Sequence, residues 1–338
     1  MPNTIAFDLG NYTMKALVAK PGRQLNLLRS VEVFNPLGLS LAGDETAATK
    51  LGELIGNTFT DHQLPRTDVR LSLPETLVTT KIISIPPLSD AELASAINWQ
   101  AEQHIPIPLD ELSLEYQVVY RPARNARNEQ MRVLLVGARK SVIDAYLDPF
   151  YRAGIEVSVL ETQTLSILRS MQFTPEDPTT LVVHTGATHT NLAIVHHGEL
   201  RFVYSYNHGG QLFTRTIEQA IQLDGKQAEQ YKRTYGLDAA QLQGKLREVL
   251  LPAVRAYVIE MQKAIQFFST QPDAEPVKRL VLSGGSAQLP GLVQFIIEQF
   301  GTEVFVAAPF TGAQGEVPQV NHPVFTVCVG LLQRENVS

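Results

Sequence analysis

Residues 4–20 read Thr4-Ile5-Ala6-Phe7-Asp8-Leu9-Gly10-Asn11-Tyr12-Thr13-Met14-Lys15-Ala16-Leu17-Val18-Ala19-Lys20. An apolar run closes at Asp8, a tight polar turn holds Gly10, and a second apolar run carries Lys15. Two such runs around a short turn predict a strand-turn-strand hairpin, not the strand-turn-helix of a Walker loop. The turn offers backbone N–H groups, the Thr13 hydroxyl and the Lys15 ammonium around one carboxylate. Backbone donors with a lysine suit phosphate, and a carboxylate beside them suits a hydrated magnesium ion. An ordinary hairpin with a polar tip satisfies the same pattern.

The pattern occurs twice. Leu181-Val182-Val183-His184-Thr185-Gly186-Ala187-Thr188-His189-Thr190-Asn191-Leu192-Ala193-Ile194-Val195 repeats it, with His184 where Asp8 stood and Gly186 where Gly10 stood. A duplicated motif carries more weight than a single one. It predicts two similar domains facing each other across a cleft, with one hairpin from each.

The bulk numbers agree with two domains. The chain has 338 residues, 44% hydrophobic and 18% charged, which is ordinary for a globular protein. A net charge of −6 gives no electrostatic case for nucleic acid or anionic lipid as the main partner. One cysteine, Cys328, excludes an intrachain disulfide and sits in an apolar stretch as a buried thiol would. No secretory signal or apolar run of membrane-spanning length is visible, so a cytoplasmic protein is expected.

Around the hairpins, Leu25 to Val33 reads as a third strand, Asp44 to Asp61 as a helix and Val69 to Leu73 as a returning strand. Leu77 to Ile85 alternates like a strand and stops at Pro86-Pro87. Ser89 with Glu92 forms a capping box for a helix to His104. Leu114 to Tyr120 and Arg132 to Ala138 are strands joined by the loop Arg121 to Gln130. Ser141 with Asp144 caps a helix ending at Gly154, and Ile155 to Leu160 is a strand. Strand-helix-strand-strand-helix-strand reads as an inserted split βαβ subdomain. After the second hairpin come helices at Thr214 to Ile221 and Lys226 to Thr234. A long helix or pair covers Gln241 to Thr270, broken near Pro252. Leu280 to Ala287 is a strand entering a glycine turn. Helices at Pro290 to Phe300 and His322 to Gln333 close the chain.

These pieces resemble the actin-like ATPase superfamily: two phosphate hairpins, a Glu-x-x-Lys helix at Glu229 and Lys232, and the late turn Gly284-Gly285. A sharper resemblance is to the PilM family of type IV pilus assembly. It is carried by Lys81-Ile82-Ile83-Ser84-Ile85-Pro86-Pro87-Leu88, Glu92-Leu93 and Ile97-Asn98-Trp99-Gln100-Ala101-Glu102-Gln103-His104-Ile105-Pro106-Ile107-Pro108-Leu109-Asp110. Ala228-Glu229-Gln230-Tyr231-Lys232-Arg233-Thr234-Tyr235-Gly236 and Leu282-Ser283-Gly284-Gly285-Ser286-Ala287-Gln288-Leu289-Pro290-Gly291-Leu292 carry it too. It implies an α/β, actin-like (ribonuclease H-like) two-domain fold. Residues 1–76 would form the first layer, continued by 161–180 and 322–335. Residues 77–160 would be the insertion, and 181–321 the second domain with a helical subdomain at 210–275.

The resemblance also implies a function. Such proteins are cytoplasmic adaptors that bind ATP between their domains and grip the N-terminal tail of PilN, a single-span membrane protein. They work with other pilus platform or motor proteins at the inner face of the cytoplasmic membrane, recruited through that partner. A filament-forming FtsA-like ATPase is the alternative. Its usual C-terminal amphipathic helix is not expected after Gln333-Arg334-Glu335-Asn336-Val337-Ser338. A sugar kinase would need an Asp-centred substrate motif that does not stand out.

By motif position, Asp8 would hold Mg2+ through water. Gly10 would admit the phosphate, Asn11, Tyr12 and Thr13 would donate, and Lys15 would meet the β- or γ-phosphate. Gly186, Thr188, His189 and Thr190 would form the facing turn, and Gly210 would start a helix aimed at the phosphates. Glu229 and Lys232, one helical turn apart, would bond the ribose and adenine, although an exposed ion pair has the same spacing. Gly284, Gly285 and Ser286 would leave flat space for the adenine. Glu161 would orient the attacking water. His184 departs from the family, which has aspartate there, and magnesium prefers oxygen ligands. Nucleotide binding with slow or absent hydrolysis is therefore expected. His196-His197 reads as a turn, not a metal site. A groove for the partner's tail is placed at Ile83, Ile97, Trp99 and Ile105, with Trp99 expected in the core.

Overall fold

In the computed structural model, which describes residues 3–22, 24–39, 45–123, 129–320 and 322–334, the opening stretch folds as its pattern predicts. Strands β1 (Thr4–Leu9) and β2 (Thr13–Lys20) pair antiparallel, with Asp8 opposite Lys15. β3 (Asn26–Phe34), helix α1 (Glu45–Asp61) and β4 (Val69–Leu73) follow. The expected helix start at Asp44 and most of the loop between Arg121 and Gln130 lie outside the described residues. Next come β5 (Thr79–Ile85), α2 (Asp90–His104), β6 (Leu112–Tyr120) and β7 (Met131–Arg139). α3 (Lys140–Arg152), β8 (Val157–Thr162) and α4 (Gln163–Met171) lead to the second hairpin. That hairpin is β9 (Thr180–Thr185) and β10 (Thr190–His196), continued by β11 (Glu199–Tyr206). The remaining elements are α5 (Gly210–Ile221), α6 (Gly225–Tyr235), α7 (Lys245–Ser269), β12 (Arg279–Ser283), α8 (Leu292–Phe300), β13 (Glu303–Val306), β14 (Gln314–Gly315) and α9 (Thr326–Leu332).

The duplication seen in the sequence is a duplication of topology. The first sheet runs β14-β3-β2-β1-β4-β8 and the second runs β11-β10-β9-β12-β13. In each, three antiparallel strands meet two parallel ones at the central strand, β1 or β9. Both central strands are fully buried, which is why they read as continuous apolar runs. Asp8 and His184 therefore hold matching places near the ends of matching strands. Their cross-strand partners differ: Lys15 faces Asp8, whereas Asn191 faces His184.

Three expectations change. The six elements read as one split βαβ unit divide between two sheets. Strands β5, β7 and β6 form a separate three-stranded sheet, but β8 bonds to β4 in the first sheet and α3 packs on α1. Ser141 does not cap α3, because β7 runs straight into the helix and Arg139 takes the cap position without a side-chain bond. Lys140 N–H donates to the Glu111 carbonyl at that junction. Finally, α7 continues through Pro252. A proline removes one ladder bond, but the buried stripe Leu246, Leu250, Val254, Tyr257, Val258 and Met261 holds the helix in the second core. The cap at Ser89 is as expected, with both bonds to Glu92 formed.

Helix α9 joins the halves. It packs on α4, β1, β2 and β4 of the first domain. Its first residue, Thr326, accepts from Ser283 Oγ of the second domain at 2.9 Å. The α9–α4 crossing is so close that a Cβ on Gly330 would lie 1.7 Å from the Ser166 carbonyl oxygen. Since that obstacle is backbone, Gly330→Ala must part the two helices. Overpacking of this kind costs on the order of 1–3 kcal/mol, and chemical denaturation should show a loss near the upper end. A change within about 0.5 kcal/mol, as at a neutral surface site, would contradict the crossing.

Candidate functional site

The two hairpin turns line one cleft of about 260 Å³. Of the residues assigned to it from sequence, Asp8, Gly10, Asn11, Tyr12, Thr13, Lys15, Gly186, His189, Gly210, Glu229, Lys232, Gly284, Gly285 and Ser286 all line it. His184 does too. The backbone N–H groups of Asn11 and Tyr12 in one turn, and of Ala187 in the other, have no carbonyl partner among the described residues. Two sets of open donors thus converge on one space, an arrangement suited to an anion.

Asp8 sits at the floor, 3% exposed. Its Oδ2 accepts from Lys15 Nζ at 3.1 Å, and its Oδ1 from Ser72 Oγ at 2.8 Å and Gln163 Nε2 at 3.1 Å. Burial pushes this carboxyl up, but the Lys15 ammonium and the Ser72 hydrogen bond outweigh it and hold it below the usual range. Lys15 is raised in turn: burial pulls it down, and the Asp8 charge more than offsets that. The pair is therefore ionised at neutral pH. Gly10 is required beside it, since a Cβ there would meet the Thr13 carbonyl at 2.6 Å and Lys15 Nζ at 3.0 Å.

A chain of hydrogen bonds crosses from one hairpin to the other and back. Asn11 Nδ2 donates to Thr188 Oγ1 at 3.0 Å, and Thr188 Oγ1 lies 3.2 Å from His189 Nδ1. His189 Nε2 lies 3.4 Å from Gln163 Oε1, and Gln163 Nε2 completes the circuit to Asp8. Gln163 donates to Asp8, so its oxygen accepts and His189 carries its proton on Nε2. The Nδ1 lone pair then accepts a hydrogen bond from the Thr188 hydroxyl. The chain fits neutral His189, whose value burial pulls down.

His184 has its own chain. Thr326 Oγ1 donates to the Pro323 carbonyl at 2.8 Å, Ser283 Oγ donates to Thr326, and His184 Nδ1 lies 3.0 Å from Ser283 Oγ. Each hydroxyl donates once, so His184 bears its proton on Nδ1 and a lone pair on Nε2. Burial is the main reason its value falls to about 4. Where a carboxylate would bring a negative charge, this ring brings none.

The far side of the cleft is built by α5, α6 and the turn after β12. Gly210 and Gln211 at the start of α5 donate their N–H groups to the Gly186 and Ala187 carbonyls at 2.9 and 2.8 Å. The helix start thus braces the second hairpin, and those two donors are not open to a phosphate. Lys232 Nζ reaches Glu229 Oε2 at 2.6 Å, Thr214 Oγ1 at 3.0 Å and the Gly210 carbonyl at 3.2 Å. Glu229 also accepts from Arg233 Nε at 2.8 Å. Burial raises the Glu229 carboxyl, and the Lys232 charge outweighs burial to leave it low. This is a largely buried, hydrogen-bonded pair facing the cleft. Arg233 also lies over the Tyr12 ring at 5.8 Å, a contact between the two domains. Gly284 has φ +80°, and a Cβ there would sit 2.3 Å from the Thr185 carbonyl, so backbone crowding demands this glycine. Gly285 is different: a Cβ would meet only Val324 at 4.0 Å, which leaves flat open space.

Several sequence assignments are corrected. Glu161 does not line the cleft. Its carboxylate is held by Arg169, by Arg334 at 2.9 Å and by Ser166 Oγ at 2.6 Å, so its oxygens are engaged at the end of the first sheet, away from the cleft. Thr190 is fully buried and bonds the His208 carbonyl at 2.7 Å, a role inside the sheet. Thr188 acts through Asn11 and does not line the cleft itself. Ile83, Ile97 and Ile105 pack in the core of the three-stranded subdomain, whereas Trp99, expected in a core, is 57% exposed. Sequence reasoning also passed over Gln163, Glu32 and Arg233, all at the cleft. Gln163 starts α4 just after its N-cap, Thr162 (Oγ1 from Leu165 N–H at 3.5 Å). A threonine three residues before an apolar residue was the signal available for that helix.

Comparison with known proteins bears on the same arrangement. The chain matches the family described as type IV pilus assembly protein PilM over residues 7–334. Its fold is similar to a solved PilM–PilN type IV pilus biogenesis complex, with a TM-score of 0.84, 22% identity and 97% of each chain covered. MreB5 of Spiroplasma citri bound to ADP is similar at a TM-score of 0.56 and 15% identity, covering 98% of this chain and 95% of that one. Cell division protein FtsA of Streptococcus pneumoniae is 28% identical over 198 residues. That match takes in 53% of this chain, which spans less than half (43%) of the relative's length. The fold is therefore actin-like, as expected. Among the described residues no helix is long and apolar enough to cross a membrane.

The histidine assignments have a direct readout. Long-range nitrogen-15 spectra should show His184 as the neutral Nδ1–H tautomer at pH 7, titrating near 4. Its folded value lies below the unfolded 6.5, so between those values the unfolded state binds more protons and stability falls as pH drops through that window. Above 6.5 this contribution is flat. A midpoint near 6.5, or an Nε2–H tautomer, would contradict the Ser283 chain.

Proposed function

Because this chain belongs to the PilM family of type IV pilus assembly proteins, we propose that it is a nucleotide-holding adaptor of the pilus assembly platform. It binds ATP in the cleft and the N-terminal cytoplasmic tail of a PilN-like membrane protein on its outside. The observation that carries the nucleotide reading is the convergence of two hairpin turns, each with open backbone donors, on one space. Gly10 to Thr13 with Lys15, and Gly186 to His189, suit the phosphates. Lys232 and Glu229 suit the ribose and base edge, and the open face at Gly285 suits the adenine plane. A neighbour of the same fold is bound to ADP, which supports a nucleotide as the class of ligand.

The donor set fits Mg2+ only through water on Asp8, whose oxygens already accept from Lys15, Ser72 and Gln163. A bound magnesium ion would supply charge neutralisation for the phosphates. Neutral His184 adds no second carboxylate, and Glu161 is tied away from the cleft. These residues hold and orient a nucleotide better than they activate water, so hydrolysis is slow or absent. The nucleotide then serves to fix the relation of the two domains, which Arg233–Tyr12 and Asn11–Thr188 already bridge.

The tail is placed on the three-stranded subdomain, where Trp99 and Tyr116 are exposed on the surface of α2 and β6. Large exposed aromatics are the residue type that anchors peptide interfaces. A partner with a membrane span would bring the chain to the inner face of the cytoplasmic membrane.

Titration with a synthetic N-terminal tail of the PilN-like partner tests this reading. Trp99 is the only tryptophan, so its emission reports the site. Saturable binding is expected, weakened at least tenfold, about 1.4 kcal/mol, by Trp99→Ala. No binding with or without ATP would remove the adaptor reading, and equal affinity in both states would remove any nucleotide switch. In the same preparations ATP should bind with little turnover, and His184→Asp should raise turnover. Rapid turnover by the unaltered chain, abolished by Asp8→Ala, would contradict the assignment.

A further inference from the structure

The hairpin turn at His196-His197, read from sequence as carrying no metal chemistry, has a third residue beside it. Ligand atoms of His196, His197 and Glu275 all lie within 4.8 Å of one another. His196 ends β10 and is buried, His197 is the first turn residue, and Glu275 comes from the loop between α7 and β12. They are distant in sequence and meet only through the fold.

Each ring is oriented by its second nitrogen, as in a histidine metal site. His197 Nδ1 lies 3.2 Å from the Pro175 carbonyl, which can only accept, so Nδ1 carries the proton and Nε2 the lone pair. That Nε2 stands 3.6 Å from Glu275 Oε1. His196 Nδ1 lies 2.8 Å from Thr179 Oγ1; in the tautomer in which Nδ1–H donates to that hydroxyl, Nε2 carries the lone pair a metal needs. The two rings stand 4.0 Å apart, centroid to centroid. Around a tetrahedral ion with bonds near 2.0–2.1 Å, ligand atoms lie about 3.3 Å apart. His197 and Glu275 are both exposed, so the closure of an ångström or so falls to side chains free to make it. Arg201 lies near His196, with Glu199 and Asp273 close to its guanidinium.

We propose that His196, His197 and Glu275 form a binding site for a zinc-type divalent cation. Two imidazoles and one carboxylate suit Zn2+ or Co2+ and suit Mg2+ poorly. The ion would tie the β10–β11 turn to the loop before β12, with its fourth position open to solvent. The cluster lies at the opposite end of β10 from the cleft, about 20 Å along the strand, so it is separate from the nucleotide site.

The test is titration of the chelator-treated full chain with ZnCl2 by calorimetry, and with CoCl2 by visible absorption. Two exposed variants accompany it: Glu275→Gln, and His197→Asn, chosen because asparagine tolerates the φ of 51° at that turn. One zinc per chain is expected, with a four-coordinate cobalt spectrum. Each variant should weaken zinc at least tenfold, about 1.4 kcal/mol, and remove the cobalt band while leaving thermal unfolding of the metal-free chain in place. Absence of stoichiometric zinc, or zinc bound equally well by either variant, would overturn the site and leave His197 and Glu275 as surface neighbours alone.

Discussion

The buried Asp8–Lys15 pair is the constraint on which the cleft depends. Both groups come from one hairpin, directly opposite in register. Removing either partner would leave an uncompensated charge in the interior, a change that costs about 3–5 kcal/mol. The pair also fixes its surroundings. Asp8 accepts hydrogen bonds from Ser72 on β4 and from Gln163 at the start of α4, so one carboxylate draws these elements together. Gln163 is thereby left with its oxygen facing the second domain, where His189 and Asn191 reach it. The contact between domains thus starts from one ion pair.

The second hairpin has the same topology and a different chemistry. Where the first has aspartate opposite lysine, the second has His184 opposite Asn191. Neither carries charge at neutral pH. The asymmetry divides the labour: the first hairpin brings charge, and the second brings neutral groups and a route to the joint at α9. That route is His184–Ser283–Thr326, which ends on the segment entering α9. Since α9 packs on the first domain, a group bound beside His184 is two hydrogen bonds away from the joint between the halves. A ligand that favours one domain arrangement stabilises it by its differential affinity and by nothing else.

Much of this was legible in the sequence because it rests on local pattern. The two hairpins, the capping box at Ser89 and the glycine at Gly10 each leave a short signature whose physics is contained within a few residues. What was not legible depends on long-range pairing. Glu161 reads as a carboxylate near the site, but Arg334 approaches it from 173 positions away. Gln163 is unremarkable until β8 is placed beside β4. The strand β8 follows the inserted elements in sequence but pairs with β4 of the first sheet, a long-range pairing that no local pattern encodes. Pro252 argues for a break by local rules, and tertiary packing overrides them. The cluster at His196, His197 and Glu275 needs a loop 78 positions beyond the turn, far outside any motif window.

The central claim is that both hairpins hold one nucleotide without a second carboxylate to drive its hydrolysis. A crystal structure of the chain grown with ATP and Mg2+ tests it most directly. The account predicts an intact triphosphate within hydrogen-bonding reach of Lys15 and of the Asn11 and Tyr12 N–H groups. The base should lie flat against Gly285, with His184 bonded to Ser283 as before. Nucleotide bound outside this cleft, no nucleotide at saturating concentration, or ADP alone in crystals formed promptly from ATP would contradict it.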